Sequence, residues 1–266
     1  MGLSMKLSRP GWPRWSTLFD LYANVRPVLS IAGTKSHYQG VDIITVRENT
    51  EGAYLAADAY VSEDGSRAES KMIITRKGSE RVTRYAFDLA RREGRHKVTL
   101  VHKANILKAV SGLFLDVARE VAKNYPDIES EEMIVDATCM NLVLDPQRFD
   151  VIVTTNLFGD IISDLCAGLV GGLGLAPGAN IGRDAAMFEA VHGSAPDIAG
   201  KNIANPCALM LGAAMMLAHL GMLEKATALR RAIVDTIVAG DRTTPDLGGK
   251  GQSDTFTDAI IERLHV

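Results

Sequence analysis

Runs of β-branched and apolar residues that close on polar ones recur along the chain, with segments of helical period between them. Four stand out, "VDIITVREN", "KVTLVHKAN", "EEMIVDATC" and "FDVIVTTNLFGD", and "MFEAVHGSAPD" is a weaker fifth. Between them, "SERVTRYAFDLARREG" puts Val82, Tyr85, Ala86, Leu89 and Ala90 on one helix face, with Ser79 as its expected N-cap and Gly94 past its end. "ILKAVSGLFLDVAREVAKNYP" follows the second run and stops before Pro126. After Gly182 the pattern predicts a loop and then helices over Cys207–Leu220 and Leu223–Val238. The first of these contains "CALMLGAAMMLA", too short to span a bilayer and read as a buried helix. "EDGSRAESKMIITRK", following "ADAYVS", is expected to form strand-like arms. Strands alternating with helices predict an α/β sheet layered with helices.

That architecture gives the polar strand ends a meaning. In open α/β sheets ligands bind beyond the carboxyl ends of the strands, where loops converge. Those ends present Arg47, Lys103, Asp136, Asn156 and Asp160. A strand can end in a polar residue simply because its loop meets water. One arginine, one lysine and two aspartates at four successive ends favour a shared site.

Composition narrows the field. The chain has 266 residues, 47% of them hydrophobic and 23% charged, with a formal net charge of −3, a soluble globular profile for one large domain or two modest ones. So weak a negative charge gives no electrostatic reason to expect nucleic acid or an anionic membrane as partner. Cys139, Cys166 and Cys207 are scattered in apolar surroundings, neither a disulfide framework nor a zinc site, which points to a reducing compartment. The N-terminal "MGLSMKLSRPGWPRWST" carries Lys6, Arg9 and Arg14 ahead of any acid, but Pro10 and Pro13 interrupt the amphipathic helix a transit peptide needs. The expected location is cytoplasmic, or the mitochondrial matrix in a eukaryote.

Within "GDIISDLCAGL", Asp160 and Asp164 stand one helical turn apart on a common face. Two carboxylates so close repel unless compensated, and an oxygen-only pair suits Mg²⁺ or Mn²⁺, with Asp136 as a third donor. The alternative is a solvated face near a helix N-terminus. Arg26 in "YANVRP" and Arg47 in "VREN" suit bidentate recognition of carboxylates, and Lys103 and Tyr54 are proton-transfer candidates. The glycine-rich "GLVGGLGLAPGANIG" fails as a dinucleotide fingerprint, because Pro177 holds the sixth position and no strand immediately precedes it. Any nucleotide must be held in another way.

Five segments, "FDLYANVRP", "VRENTEGAY", "VHKANILK", "FDVIVTTNLFGDIISDLCAGLVGGLGLAPGANIG" and "FEAVHGSAPDIAGKNIANP", closely resemble the β-decarboxylating dehydrogenases, the family of isocitrate, 3-isopropylmalate, homoisocitrate and tartrate dehydrogenases. The match runs from about Phe19 to the C-terminus, and "KMIITRKGSERVTRYAFDLAR" looks most like the NAD-dependent isocitrate dehydrogenases. The resemblance implies that Arg26 and Arg47 hold substrate carboxylates, that Tyr54 acts as acid after decarboxylation, and that Lys103 assists proton removal from a 2-hydroxyl. It makes Asp136, Asp160 and Asp164 the metal aspartates, with Lys103 and Asp136 reaching the site of a neighbouring subunit, so a homodimer or larger oligomer follows. It implies NAD held by Asn105, His192, Gly193, Asp197, Ile198 and Asn205; at 197 and 198, NADP-preferring members carry a basic residue and a tyrosine. An aspartate accepts from a ribose 2′-hydroxyl and repels a 2′-phosphate. The implied reaction is NAD- and Mg²⁺- or Mn²⁺-dependent oxidative decarboxylation of isocitrate. The alternatives are a 3-isopropylmalate or tartrate dehydrogenase, or a truncated, non-catalytic partner subunit.

The start departs from the family pattern. Members carry a longer region ahead of "FDLYANVRP", and the places of a substrate-contacting serine–asparagine–arginine segment are taken here by Pro10, Trp12 and Ser16, with Arg14 two residues out of register. The expectation is therefore a two-domain α/β fold of the isopropylmalate/isocitrate dehydrogenase kind with its large domain N-terminally truncated. Residues 1–20 would be a divergent segment, 21–170 a small domain bearing the arm at a dimer interface, and 171–266 the C-terminal part of a large NAD-binding domain.

Overall fold

The computed structural model describes residues 15–34 and 36–264. The N-terminal positions Lys6, Arg9, Pro10, Trp12, Pro13 and Arg14 lie outside them. The elements are α1 (Trp15–Leu18), β1 (Ala23–Leu29), β2 (Asp42–Glu48), β3 (Gly52–Val61), β4 (Ala68–Ile73), α2 (Arg76–Arg92), β5 (Lys97–His102), α3 (Val110–Ala122) and β6 (Glu129–Ile134). They continue through α4 (Val135–Leu144), β7 (Val151–Thr154), α5 (Asn156–Leu169), β8 (Pro177–Ile181), β9 (Ala186–Ala190), α6 (Cys207–His219), α7 (Leu223–Ala239) and α8 (Ser253–Glu262).

Seven strands form one sheet in the order β6-β5-β7-β2-β1-β8-β9, and β3 and β4 form a separate antiparallel hairpin. The expected α/β architecture is present. β6, β5, β7 and β2 run parallel, so their carboxyl ends meet at one edge. β1 is antiparallel to β2, which brings its start to that same edge. Side chains alternate across the sheet. Val25, Ile44, Val46, Val98, Leu100 and Val153 face α2 and α3, where Phe87, Phe114 and Val121 complete one core. Val28, Ile43, Val101 and Ile152 face α5, where Ile162 and Cys166 complete the second. By the same parity Arg26 and Arg47 point to the α5 side. A third core, with Ile233, Ile237, Phe256 and Ile260, lies among α6, α7 and α8.

Strands from both sides of residue 170 share the sheet, since β8 and β9 extend it past β1. Several details differ from the sequence-based expectations. Helix α2 is capped by Thr75, whose hydroxyl accepts from the Gly78 N–H at 3.0 Å, while Ser79 sits buried within the helix and donates to the Thr75 carbonyl at 2.8 Å. Glu51 decides this by accepting from both the N–H and the hydroxyl of Thr75, which holds that residue extended as a cap must be. The run "EEMIVDATC" is strand only to Ile134, so Asp136 opens a helix. β1, β8 and α8 had no strand or helix assigned to them. α6 is a helix but only partly buried: it packs on β8, β9 and α7 while Leu209 and Leu220 stay exposed. Among the described residues no helix is long and apolar enough to cross a membrane.

Candidate active site

The shared edge of the sheet gathers the predicted residues into two groups. The first is built on β1, β2, β3 and α5. Arg47, the penultimate residue of β2, is 6% exposed, and its Nε and Nη2 donate to Asn156 Oδ1 at 3.0 and 2.7 Å. Its Nη1 donates to Asp160 Oδ1, and the guanidinium carbon lies 4.9 Å from the centroid of the Tyr54 ring. The Tyr54 hydroxyl donates to the other oxygen of Asp160. That hydrogen bond, then burial, pushes the Tyr54 hydroxyl above its ordinary pKa, so Tyr54 is held as a proton donor.

Arg26 lies one strand away. Its Nε donates to Asn24 Oδ1 at 2.8 Å and its Nη1 is 3.7 Å from Asp164. Burial, and after it the like charge of Arg47, lowers the Arg26 pKa, while Asp160 and Asp164 oppose the shift. Asn24 is anchored in turn by Asn180 on β8 at 2.6 Å, and Asn180 donates to Glu189 on β9 at 2.7 Å. A buried amide relay across three strands thus fixes the Arg26 head group. Asp160 and Asp164 stand one turn apart on α5, each compensated by an arginine.

Lys103 and Asp136 form the second group, paired with each other after the ends of the neighbouring strands β5 and β6. The Lys103 ammonium holds the exposed Asp136 carboxyl below the usual carboxylate range. One strand, β5, separates the ends of β6 and β7, and among the described residues no three His, Cys, Asp or Glu side chains come close enough to hold a metal. Within one chain, the three predicted metal aspartates are therefore divided into a pair and a single residue. The pair still fits a hard cation by donor chemistry, being two carboxylates on one helix face beside an open edge.

Four of the six expected cofactor residues meet at a separate cleft of about 850 Å³. His192, Gly193, Ile198 and Asn205 line it, together with Gly174 and Asp246. Asn205 is held from two sides, its Nδ2 donating to Asp246 at 2.8 Å and its Oδ1 accepting from the Cys207 N–H at 2.9 Å. Asp197 is exposed in the one-turn 3-10 helix Pro196–Ile198, beside the lining residue Ile198. Asn105 is exposed in the turn after Lys103 and is not part of the lining.

A family model described as isocitrate/isopropylmalate dehydrogenase matches residues 14–263. The chain belongs to that family. It is 55% identical over 243 residues to the 3-isopropylmalate dehydrogenase of Archaeoglobus fulgidus, a match covering 91% of this chain and 73% of that one. It is 54% identical over 246 residues to the mitochondrial NAD isocitrate dehydrogenase catalytic subunit 5 of Arabidopsis thaliana, covering 92% of this chain but 65% of that subunit. The crystal structure of an isocitrate dehydrogenase from Methylococcus capsulatus superposes with a TM-score of 0.91 at 55% identity, over 96% of this chain and 77% of that one. For a member of this dehydrogenase family, sequence reasoning overlooked Asn24, Asn180 and Asp246. Asn24 was visible as a buried-parity amide two residues before Arg26; Asn180 and Asp246 carry no local signal, because their partners lie far along the chain.

Proposed function

We propose that this chain carries out NAD- and divalent-cation-dependent oxidative decarboxylation of a 2-hydroxy acid, and specifically of isocitrate to 2-oxoglutarate in the tricarboxylic acid cycle. The observation that carries the reading is the convergence of Arg26, Arg47, Tyr54, Asp160 and Asp164 from four elements on one sheet edge. Two guanidinium groups on the same face suit a substrate with several carboxylates. Asp160 and Asp164 would hold Mg²⁺ or Mn²⁺, with Asp136 of a neighbouring subunit as third donor. Once bound, the cation supplies Lewis-acid polarisation of the substrate hydroxyl and its adjacent carboxylate. His192, Gly193, Ile198 and Asn205 would hold NAD, which would supply the acceptor for a hydride from the hydroxyl-bearing carbon, and Asp197 would favour it over NADP.

The chain's own groups then manage the protons. Lys103, reaching across with Asp136, assists removal of the hydroxyl proton. The Tyr54 hydroxyl gives its proton to the carbon from which CO₂ departs. Arg26 and Arg47 keep the remaining carboxylates in place while the bonds change. The assembly is a homodimer or larger, with the exposed β3–β4 hairpin as its arm.

NADH formation by the purified protein with Mn²⁺ tests this, with isocitrate, 3-isopropylmalate, homoisocitrate and tartrate assayed side by side. Turnover confined to isocitrate is the expected result. Turnover of 3-isopropylmalate instead would support the second reading, favoured by the 55% identity to the Archaeoglobus fulgidus relative. Turnover of none by the chain alone, restored on mixing with a longer homologue, would make it a partner subunit.

A further inference from the structure

Arg47 is held more tightly than substrate binding by itself requires. Its stem lies flat against the first turns of α5, where a Cβ on Gly159 would come 2.5 Å from Arg47 Cγ, 2.6 Å from its Cβ and 3.1 Å from its Cδ. The head group meets Asn156, the first residue of α5, which is 3% exposed. Asn156 Oδ1 accepts from Nε and Nη2 together, and its Nδ2 donates to the Glu51 carbonyl at 2.9 Å. That second bond fixes which way the amide faces, because a flipped amide would set its NH₂ against the guanidinium and its oxygen against the Glu51 carbonyl.

An arginine has five N–H bonds. Asn156 takes the Nε–H and one Nη2–H, and Asp160 takes one Nη1–H, so the side edge of the fork is closed. The Tyr54 ring covers a face of the plane. With the Nε–Nη2 side taken by Asn156, a carboxylate docks at the Nη1–Nη2 end. The choice of an amide matters, since an aspartate at this position would give the same orientation and cancel the charge that draws a multiply charged anion.

We propose that Asn156 is a positioning residue for the substrate-binding step: it sets the plane of the Arg47 guanidinium, directs its Nη1–Nη2 edge at the substrate carboxylate, and does so without neutralising it. This rests on the reading that Arg47 binds a substrate carboxylate, but the orientation itself can be read without substrate. In protein labelled with ¹⁵N-arginine, the Arg47 Nε–H resonance is the one missing from Arg47→Lys. In the unaltered protein that proton is protected from exchange; in Asn156→Ala it exchanges like a free arginine, and in Asn156→Asp, which keeps the acceptor, it stays protected.

In steady-state kinetics Asn156→Ala raises the substrate KM about 10- to 100-fold while kcat changes far less. Asn156→Asp also raises KM, through lost charge despite a retained orientation. In an Arg47→Ala background, Asn156→Ala changes KM less than about 2-fold, because the two residues act as one unit. Free exchange of Nε–H in the unaltered protein, or its full protection in Asn156→Ala, would overturn the proposal. So would a KM effect of Asn156→Ala that persists undiminished without Arg47. Should no carboxylate substrate turn over, the functional reading fails and the exchange measurement alone decides the role of Asn156.

Discussion

Tyr54 carries the chemistry most directly, because its hydroxyl donates to the carboxylate of Asp160. A group held protonated above the ordinary tyrosine pKa near 10 is fully in its acid form throughout the neutral and mildly alkaline range. The rate should therefore show no loss attributable to Tyr54 until the pH passes that value, and ultraviolet titration should show one tyrosinate forming late, absent in Tyr54→Phe. The same variant is expected to lose about 10²- to 10⁴-fold in kcat, the usual worth of a positioned acid. An earlier alkaline limb that vanishes in Tyr54→Phe would contradict the assignment. Gly159 makes a steric case beside it. An added Cβ meets the base of the Arg47 side chain, which cannot swing aside, so Gly159→Ala should cost about 1–3 kcal/mol by overpacking and weaken substrate binding as well. Gly168, on the same helix, has nothing within 4 Å of its Cβ position, and Gly168→Ala should instead stabilise by about 0.5–1 kcal/mol. Urea midpoints of the two variants test the contrast.

The start of α2 shows how an element boundary can depend on a residue far away in sequence. Ser79 reads as the cap from local sequence alone, whereas Thr75 caps because the buried Glu51 carboxylate holds its N–H and hydroxyl. Glu51 packs so closely on α2 that a Cβ on Gly78 would lie 2.5 Å from its carboxyl carbon. Burial raises the Glu51 pKa in spite of the Thr75 bonds. Between the ordinary value and the raised one, the folded protein keeps a proton that the unfolded chain has lost, so this group's contribution to stability is present at low pH and lost as pH rises through that window. Glu51→Gln should flatten that part of the stability–pH curve, and an unchanged slope would show that the carboxyl is not desolvated. The same distinction between local and distant causes explains what was legible. "KVTLVH" and "VIVT" announce themselves as strands because both faces are buried under helices. β1 contains Pro27, tolerated because β8 pairs only with residues 23–25 and leaves that side of β1 a free edge. β8, "PGANI", has almost no apolar alternation, and its place is set by its neighbours. At the site, Arg47 and Asp160 were legible from the strand-end rule, since parallel strands must bring those ends together. The separation of Asp136 from Asp160 was not, because it depends on strand order, which no local pattern encodes.

At the scale of the whole molecule that separation becomes the main question. A single chain sets Lys103 and Asp136 apart from the group around Arg47, and exposes apolar side chains on the hairpin (Tyr60, Val61) and on the helices beside the site (Met140, Leu144, Ile161). Surface of that kind, next to an incomplete constellation, favours a two-fold partner that covers the one and completes the other. The test uses two inactive variants, Lys103→Met and Asp160→Asn, dissociated and reassociated together at equal concentration. If Lys103 serves the site of its partner, each mixed dimer has one site carrying both lesions and one carrying neither. About a quarter of the unaltered activity should then return, since half the dimers are mixed and half of their sites are intact. If Lys103 serves its own chain, every site in a mixed dimer keeps one lesion and no activity returns. Recovery near a quarter would place Asp136, the proposed third cation donor, at the partner's site as well, because Asp136 is paired with Lys103 and travels with it.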